Sequence, residues 1–361
     1  MRAGKGGPVA GKPEDLLRAE LEKVAPGTQL REGLDFIISA RTGALIVIGD
    51  GAHVDALCSG GFDINTPFSP QRLFELAKMD GAIIIDAACE KISRANVHLV
   101  PDASLPTTET GMRHRTAERV SRQTGALVIS ISQRRDDVSL YLGGNRIILQ
   151  EIDVVLAKAN QALQTLQRYR VRLDEVLERL TLLEFDDMAT VGDLIDVIGR
   201  FEMVQRVARE VVRYIAELGT EGRLVRMQAE ELTANVDEEY LLLLRDYAAD
   251  PAPRKATAIR NQLVALSTEQ LLEAEPVAEA LGLSADSRGA EDHVASRGYR
   301  VLRRIPALPG SVVNRIVERF GSVPRLVLAS EDDLDEVDGV GARRAKAIRE
   351  GLSRMRTHLA G

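Results

Sequence analysis

Tryptophan is absent from this 361-residue sequence, and all aromatic residues together make up 4% of it. Proteins that hold single-stranded nucleic acid mostly stack bases on aromatic rings, so that mode of binding is disfavoured. The two cysteines, Cys58 and Cys89, form no Cys-x-x-Cys spacing. That excludes the common zinc and dithiol motifs and suits a reduced, cytoplasmic compartment. No apolar run is long enough to span a bilayer, so no membrane partner is expected. The opening MRAGKGGPVAGKP lacks the apolar stretch of a secretory signal, and residues 1–12 read as a disordered tail. Residues 6–12 come close to a phosphate loop, but Pro13 stands where Ser or Thr is required and no strand precedes it.

Apolar residues at 45% and charged residues at 28% are enough for ordinary hydrophobic cores, and the length suits two or three domains. The net charge of −7 is unevenly spread. Residues 297–361 hold 13 basic and 8 acidic side chains, an excess of +5, which leaves −12 on the remainder. A basic end on an acidic body fits either a polyanion-binding module or a solvated helical surface.

Between residues 14 and 150 short apolar runs alternate with helical stretches. ALIVIG (44–49), AIIID (82–86) and ALVISIS (126–132) read as buried strands, and VSLYLGGNRIIL reads as two strands around a Gly143–Gly144–Asn145 turn. SPQRLFELAKMDG offers Ser69 as N-cap, Pro70 at the first helical position and Gly81 near the stop. RTAERVSRQTG ends at Gly125 in the same way. Strands mixed with helices imply an α/β sandwich. After residue 151 the pattern turns helical. Leu156, Leu163, Leu166, Leu173, Leu177 and Leu180 form a bundle seam that Arg170 interrupts. Thr190 with Asp193 resembles a capping box, Gly219 gives a stop, and Pro251 and Pro253 break the helix after EEYLLLLRDYA. Nothing in this middle part reads as catalytic. VDGVGARRAKAIREGL near the end is a glycine turn followed by a basic helix, and IPALPGSVVNRIVERFG repeats the plan in degenerate form with Pro309–Gly310 in the turn.

Two places could carry chemistry. Asp80–Gly81 stands at a helix–strand junction, where a carboxylate could hold a metal and glycine admit a close ligand; DG is a common pair, and on its own an ordinary helix stop plus turn is the favoured reading. GMRHRT (111–116) joins a permissive glycine, two arginines that can fork onto phosphate, a histidine and a hydroxyl at a helix start, where free N–H groups favour anions. A surface loop whose arginines pair with Glu118 or other acids is the competing reading.

DGA at 80–82 followed by RHRT at 113–116 resembles the diadenylate cyclase family. With the helical middle and the glycine-hairpin end, nearly the whole chain after residue 12 resembles the branch of that family that scans DNA. The resemblance implies an N-terminal α/β cyclase domain with a mixed central sheet over 13–151, a helical linker bundle over 152–296 and a tandem helix-hairpin-helix domain over 297–361. It implies condensation of two ATP into cyclic di-AMP with release of two pyrophosphates and a requirement for Mg2+ or Mn2+. Asp80 would be the catalytic and metal-linked carboxylate. Gly81, Leu99, Met112, Arg113, His114, Arg115, Thr116 and Ser132 would form the ATP site, Met112 standing where the family commonly has Thr. Gly339, Gly341, Arg343, Arg344 and Lys346 would contact the DNA backbone, with branched or Holliday-junction DNA as the partner. An octamer with facing cyclase domains is implied as well. The alternative is a DNA-binding scaffold that holds a nucleotide without reacting it. A repair nuclease would need a cluster of acidic metal ligands, which the sequence does not offer.

Overall fold

The computed structural model describes residues 13–133, 137–283 and 289–359. The tail expected over 1–12 lies outside them. By internal contacts the chain forms two compact units, one of residues 1–161 and 211–227, the other of residues 162–210 and 228–361.

The first unit is built on a mixed sheet. Helices α1 (Pro13–Lys23) and α2 (Gln29–Ser39) lead into strand β1 (Ala44–Ile48). A short helix α3 (Ala52–Asp55), strands β2 (Cys58–Ser59) and β3 (Phe62–Pro67) and helix α4 (Pro70–Leu76) then cross over to β4 (Ala82–Ile85). Strand β5 (Lys91–Leu99), helix α5 (Met112–Thr124) and strands β6 (Leu127–Ile131), β7 (Val138–Leu142) and β8 (Asn145–Leu149) complete it. The order is β2-β5-β4-β1-β6-β7-β8, with β3 also on β5. Among the described residues only the β1–β4 pair is parallel; the other pairs are antiparallel.

The central strands are continuous apolar runs because both faces of the sheet are covered. Ile46, Ile48, Ile83, Ile85, Ile129 and Ile131 pack with Leu30, Leu34, Ile37 and Leu73 from α2 and α4 on one face. Leu45, Val47, Ile84, Val128 and Tyr141 pack with Val54, Ala117 and Val120 from α3 and α5 on the other. The expected local signals operate at the helix ends. Ser69 accepts from the Arg72 N–H with Pro70 in the first turn, and Gly125 takes φ +74° to close α5. Gly143 and Gly144 form the β7–β8 turn, both at positive φ. Helix α4 stops earlier than the expected Gly81, at Leu76, with Ala77 donating to Leu73 and Glu75 carbonyls.

The rest of the chain is helical, most of it in the second unit. Helix α6 (Ile152–Phe185) and α7 (Val191–Leu218) are long, followed by α8 (Arg223–Thr233), α9 (Val236–Tyr247), α10 (Pro253–Ala265) and α11 (Ala274–Leu281). Leu163, Leu166, Leu173, Leu177 and Leu180 are buried as the seam requires, whereas Leu156 is half-buried and Val155 and Ala159 take the inward positions there. Arg170 pairs with Asp174 and donates to the Ala234 carbonyl, which satisfies its charge on the seam. Thr190 and Asp193 exchange the hydrogen bonds of a capping box. Pro253 opens α10 at its first turn rather than only ending α9.

The last part of this unit repeats one plan twice. Helix α12 (Tyr299–Arg303) turns into α13 (Gly310–Phe320); after α14 (Val323–Leu328), helix α15 (Glu331–Asp335) turns into α16 (Gly341–Leu359). Ile305 and Leu308 flank the first turn as Val337 and Val340 flank the second, all four buried. Between each pair one residue has left-handed backbone, Ala307 at φ +62° and Gly339 at φ +83°. In this register Ala307 matches Gly339 and Pro309, in the turn as expected, matches Gly341.

A buried polar cluster ties α12 to α6 and α9. Asp246 accepts from the backbone N–H groups of Gly298, Tyr299 and Arg300. Arg300, 1% exposed, pairs with Glu184 and donates to Thr181, and the Tyr247 hydroxyl donates to Glu184. Burial, and next the Glu184 charge, push the Asp246 carboxyl up to about 7. Among the described residues no helix is long and apolar enough to cross a membrane.

Candidate functional site

Strand register gathers most of the sequence-predicted residues at one end of the sheet. Leu45 of β1 lies opposite Ala82 of β4, so Gly43 and Ala44 run beside Asp80 and Gly81. Ala44 lies opposite Ile131 of β6, which brings Ser132 to the same end. Val97 of β5 pairs with Ala82, and Leu99 follows two residues later. Helix α5 begins here, with Gly111 as its N-cap in extended conformation and Met112 to Thr116 in its first turns.

Arg113 reaches from α5 to the start of β4. Its Nη2 donates to Oδ1 of Asp80 across 3.2 Å. The Asp80 side chain is 96% exposed and that of Arg113 is 40% exposed. A pair so open to water contributes only about 0–1 kcal/mol, so both partners can be exchanged for stronger ones at little cost. Arg113 thus pairs with an acid, as the competing reading allows, but the acid is Asp80: Glu118 is buried and taken by Arg122, the Thr107 hydroxyl and the Thr108 N–H. Arg115 is exposed and turns back to the Thr110 carbonyl at 3.5 Å. Met112 is 80% exposed, so no packing accounts for it. Thr116 is half-buried.

His114 is held from below. Its Nδ1 lies 2.9 Å from the Tyr141 hydroxyl, which donates to Glu109 at 3.0 Å. Glu109 also accepts from Arg146, whose Nε donates to Ser139. Burial, then the hydrogen bond and charge of Glu109, push the Tyr141 phenol well up, so it stays protonated.

Two glycines have different reasons. A Cβ on Gly81 would stand 2.6 Å from the backbone of Asn96, whose φ of +54° marks a bulge in β5. The close approach that demands glycine there is that of a neighbouring strand. A Cβ on Gly43 would collide with the guanidinium of Arg113. Gly43, Glu109 and Tyr141 were not candidates from sequence. Gly43 is an unremarkable residue before a strand, and Tyr141 reads as core within VSLYL. Leu99 is 6% exposed and belongs to the core on the α5 face. The Ser132 N–H donates to the Asp137 carbonyl.

Among the described residues no group of three or more His, Cys, Asp or Glu could hold a metal ion. The single exposed carboxylate of Asp80 suits a hard cation that arrives with a polyphosphate, since Mg2+ commonly takes one or two protein carboxylates and completes its shell with phosphate oxygens and water.

In the second unit, Gly339 (φ +83°) and Gly341 (φ +65°) form the turn before α16. Arg343, Arg344 and Lys346 are exposed in the first turns of that helix, Arg344 donating to the Gly339 carbonyl at 2.6 Å. Of the acidic residues beside them, Asp338 pairs with Arg315 and Glu336 with Arg319, while Glu350 lies 4.0 Å from Lys346.

Residues 31–146 match the family model described as the DisA bacterial checkpoint controller nucleotide-binding region, and residues 149–289 match the DisA bacterial checkpoint controller linker region. The fold and site thus define a nucleotide-binding domain followed by a checkpoint-controller linker. The chain belongs to the DisA family. It is 53% identical over 340 residues to the DNA integrity scanning protein DisA of Symbiobacterium thermophilum, covering 94% of this chain and 96% of that one. Identity to the protein of the same name from Carboxydothermus hydrogenoformans is 50%, covering 96% and 98%. For Streptomyces coelicolor it is 46%, covering 98% and 95%. Among solved structures, a double mutant of DacA from Staphylococcus aureus overlaps 38% of this chain and 92% of its own, at 22% identity and a TM-score of 0.30. That overlap carries no argument.

Proposed function

We propose that the chain is a diadenylate cyclase, condensing two ATP into cyclic di-AMP with release of two pyrophosphates, and that its C-terminal hairpins sense branched DNA. The observation that carries the catalytic part is the meeting of Asp80 with Arg113 where α5 begins. The weak pair offers two exchangeable groups, a cation for phosphate oxygens and a carboxylate for a metal or hydroxyl.

In the reaction the 3′-oxygen of one ATP attacks the α-phosphorus of the other. The bond from that phosphorus to the bridging oxygen breaks, pyrophosphate leaves, and the 3′-hydroxyl proton passes to solvent or base. Repeating the step in the opposite sense closes the ring. Two identical sites facing each other across a two-fold axis meet this demand, and a single site does not. A symmetric homo-oligomer follows, with the octamer implied by family resemblance as the candidate assembly. Arg113 and Arg115 would hold the triphosphate charge, Thr116 and the open N–H groups of α5 would fix its place, and Asp80 would orient the attacking hydroxyl. Asp80 would also supply the protein oxygen to Mg2+ or Mn2+, an ion that neutralises polyphosphate charge.

Gly339 and Gly341 would bare backbone N–H groups to a DNA phosphate, with Arg343, Arg344 and Lys346 on the same strand. Incubating the purified protein with ATP and either metal, and analysing nucleotides by mass, tests the activity. Cyclic di-AMP is the expected product. ATP bound but unchanged would favour a nucleotide-holding scaffold instead.

A further inference from the structure

We infer that Tyr141 and Glu109 are positioning residues for His114 and fix the proton of its neutral ring on Nδ1, an inference that takes the 111–116 turn as the nucleotide site. The argument is one of hydrogen count. Tyr141 has one hydroxyl proton and two neighbours, Glu109 at 3.0 Å and His114 Nδ1 at 2.9 Å. Glu109 also accepts from Arg146 at 3.2 Å, as an ionised carboxylate does, and an ionised carboxylate has no proton to give. The phenol proton therefore lies toward Glu109. The phenol oxygen then faces Nδ1 with lone pairs alone, and the contact is a hydrogen bond only if Nδ1 carries a proton.

The chain of bonds is anchored at both ends. Arg146 on β8 also donates from Nε to Ser139 on β7, and Ser139 is fully buried. Tyr141 is fully buried on β7, with its ring tilted at 57° to the His114 ring. Glu109 comes from the loop before α5, its side chain 14% exposed. Three segments, strands β7 and β8 and the loop before α5, thus support one imidazole in the first turn of the helix through the Tyr141 hydroxyl.

The consequence is chemical. A free neutral imidazole favours the proton on the other nitrogen, so the network reverses the default. Whenever the ring is neutral, a fixed Nδ1–H leaves Nε2 able only to accept. It suits a ligand group that donates, such as a ribose hydroxyl or an adenine amino group. A phosphate oxygen could be met there only after the ring takes a second proton.

The test uses the full chain labelled with [15N]histidine, free of ligand. A long-range proton–nitrogen correlation reports which ring nitrogen is protonated, and His114→Gln identifies its signal among the 5 histidines. Protonated Nδ1 is expected in the unaltered protein, and a shift toward protonated Nε2 in Tyr141→Phe. Glu109→Gln keeps the side-chain shape but can turn its amide either way, so it should give a mixture, and it carries the same reading if Tyr141→Phe does not fold. In turnover, Tyr141→Phe should lower kcat/KM for ATP on the order of tenfold. Combined with His114→Gln it should cost no more than His114→Gln alone. Protonated Nε2 in the unaltered protein, an unchanged signal in both variants, or additive losses would overturn the inference. A chain that makes no cyclic dinucleotide overturns the proposed activity instead, because the nitrogen signature is read without ligand.

Discussion

Arg113 Nη2 and Asp80 Oδ1 lie 3.2 Å apart, although 33 positions separate the two residues in the chain. One comes from the first turn of a helix and the other from the turn before a strand, and only the sheet register brings them together. The pair is exposed and worth little to the fold, so changing it should affect chemistry and not folding.

Asp80→Asn should therefore abolish cyclic di-AMP formation while the thermal melt stays within about 0.5 kcal/mol of the unaltered protein, as for other surface changes. Product is measured by mass and stability by calorimetry. Turnover near the original rate would remove Asp80 from the mechanism.

The two glycines near that pair should separate stability from activity. Gly43→Ala places its Cβ against the end of the flexible Arg113 side chain, which can swing away, and 3.1 Å from the Ile131 carbonyl oxygen, which must give by only a few tenths of an ångström. The fold should survive, and ATP affinity should fall because the guanidinium no longer stands beside Asp80. Gly81→Ala places its Cβ 2.6 Å from the Asn96 backbone, which cannot yield without moving β5. An overpacking cost of about 1–3 kcal/mol is expected in the melt. Equal losses of stability in the two variants would show that Arg113 cannot leave its place.

What the sequence made legible were features that depend on neighbours in the chain. The strands at 44–48, 82–85 and 127–131 are continuous apolar runs, and Ser69, Gly125 and Gly143–Gly144 act as the local rules require. Strand β5 escaped because Arg94, Asn96 and a bulge interrupt its alternation, although it pairs with β2, β3 and β4. Strand β3 is short, mostly exposed and ends at Pro67. The site was legible as residue types, Asp, Arg and His beside glycine. Its supports were not. Tyr141 sits in an apolar run whose pattern is equally that of core, and Gly43 is explained by groups far along the chain, the Arg113 guanidinium and the Ile131 carbonyl.

Asp246 makes stability depend on pH in an unusual sense. Its folded pKa of about 7 lies above the roughly 3.9 of an unfolded aspartate. Between those values the native chain binds more protons than the unfolded one. The contribution of this group therefore falls as pH rises from about 4 to about 7, and levels off above. Asp246→Asn should flatten that part of the curve of melting temperature against pH. An unchanged slope would mean that Asp246 is ionised in the native state throughout.

The proposed DNA contacts call for point changes, because a cut before residue 297 would remove Arg300 and leave Glu184 buried without its cation. Breaking one partner of such a pair costs about 3–5 kcal/mol, so loss of binding in a truncated chain could reflect damage to the helices that remain. Arg343, Arg344 and Lys346 are exposed, and their replacement by Ala disturbs no core residue. Three lost phosphate contacts should flatten the salt dependence of binding to a four-way junction by about 0.9 in slope for each contact made. Sequence preference should hardly change, since backbone contacts carry none. In the unaltered protein the junction should slow cyclic di-AMP production, and in the triple variant it should do so only at higher DNA concentration. The measurement is product formed against junction concentration at two salt levels. Inhibition at the same DNA concentration in both proteins would place the DNA contact elsewhere on the chain and remove the second hairpin from the sensing role.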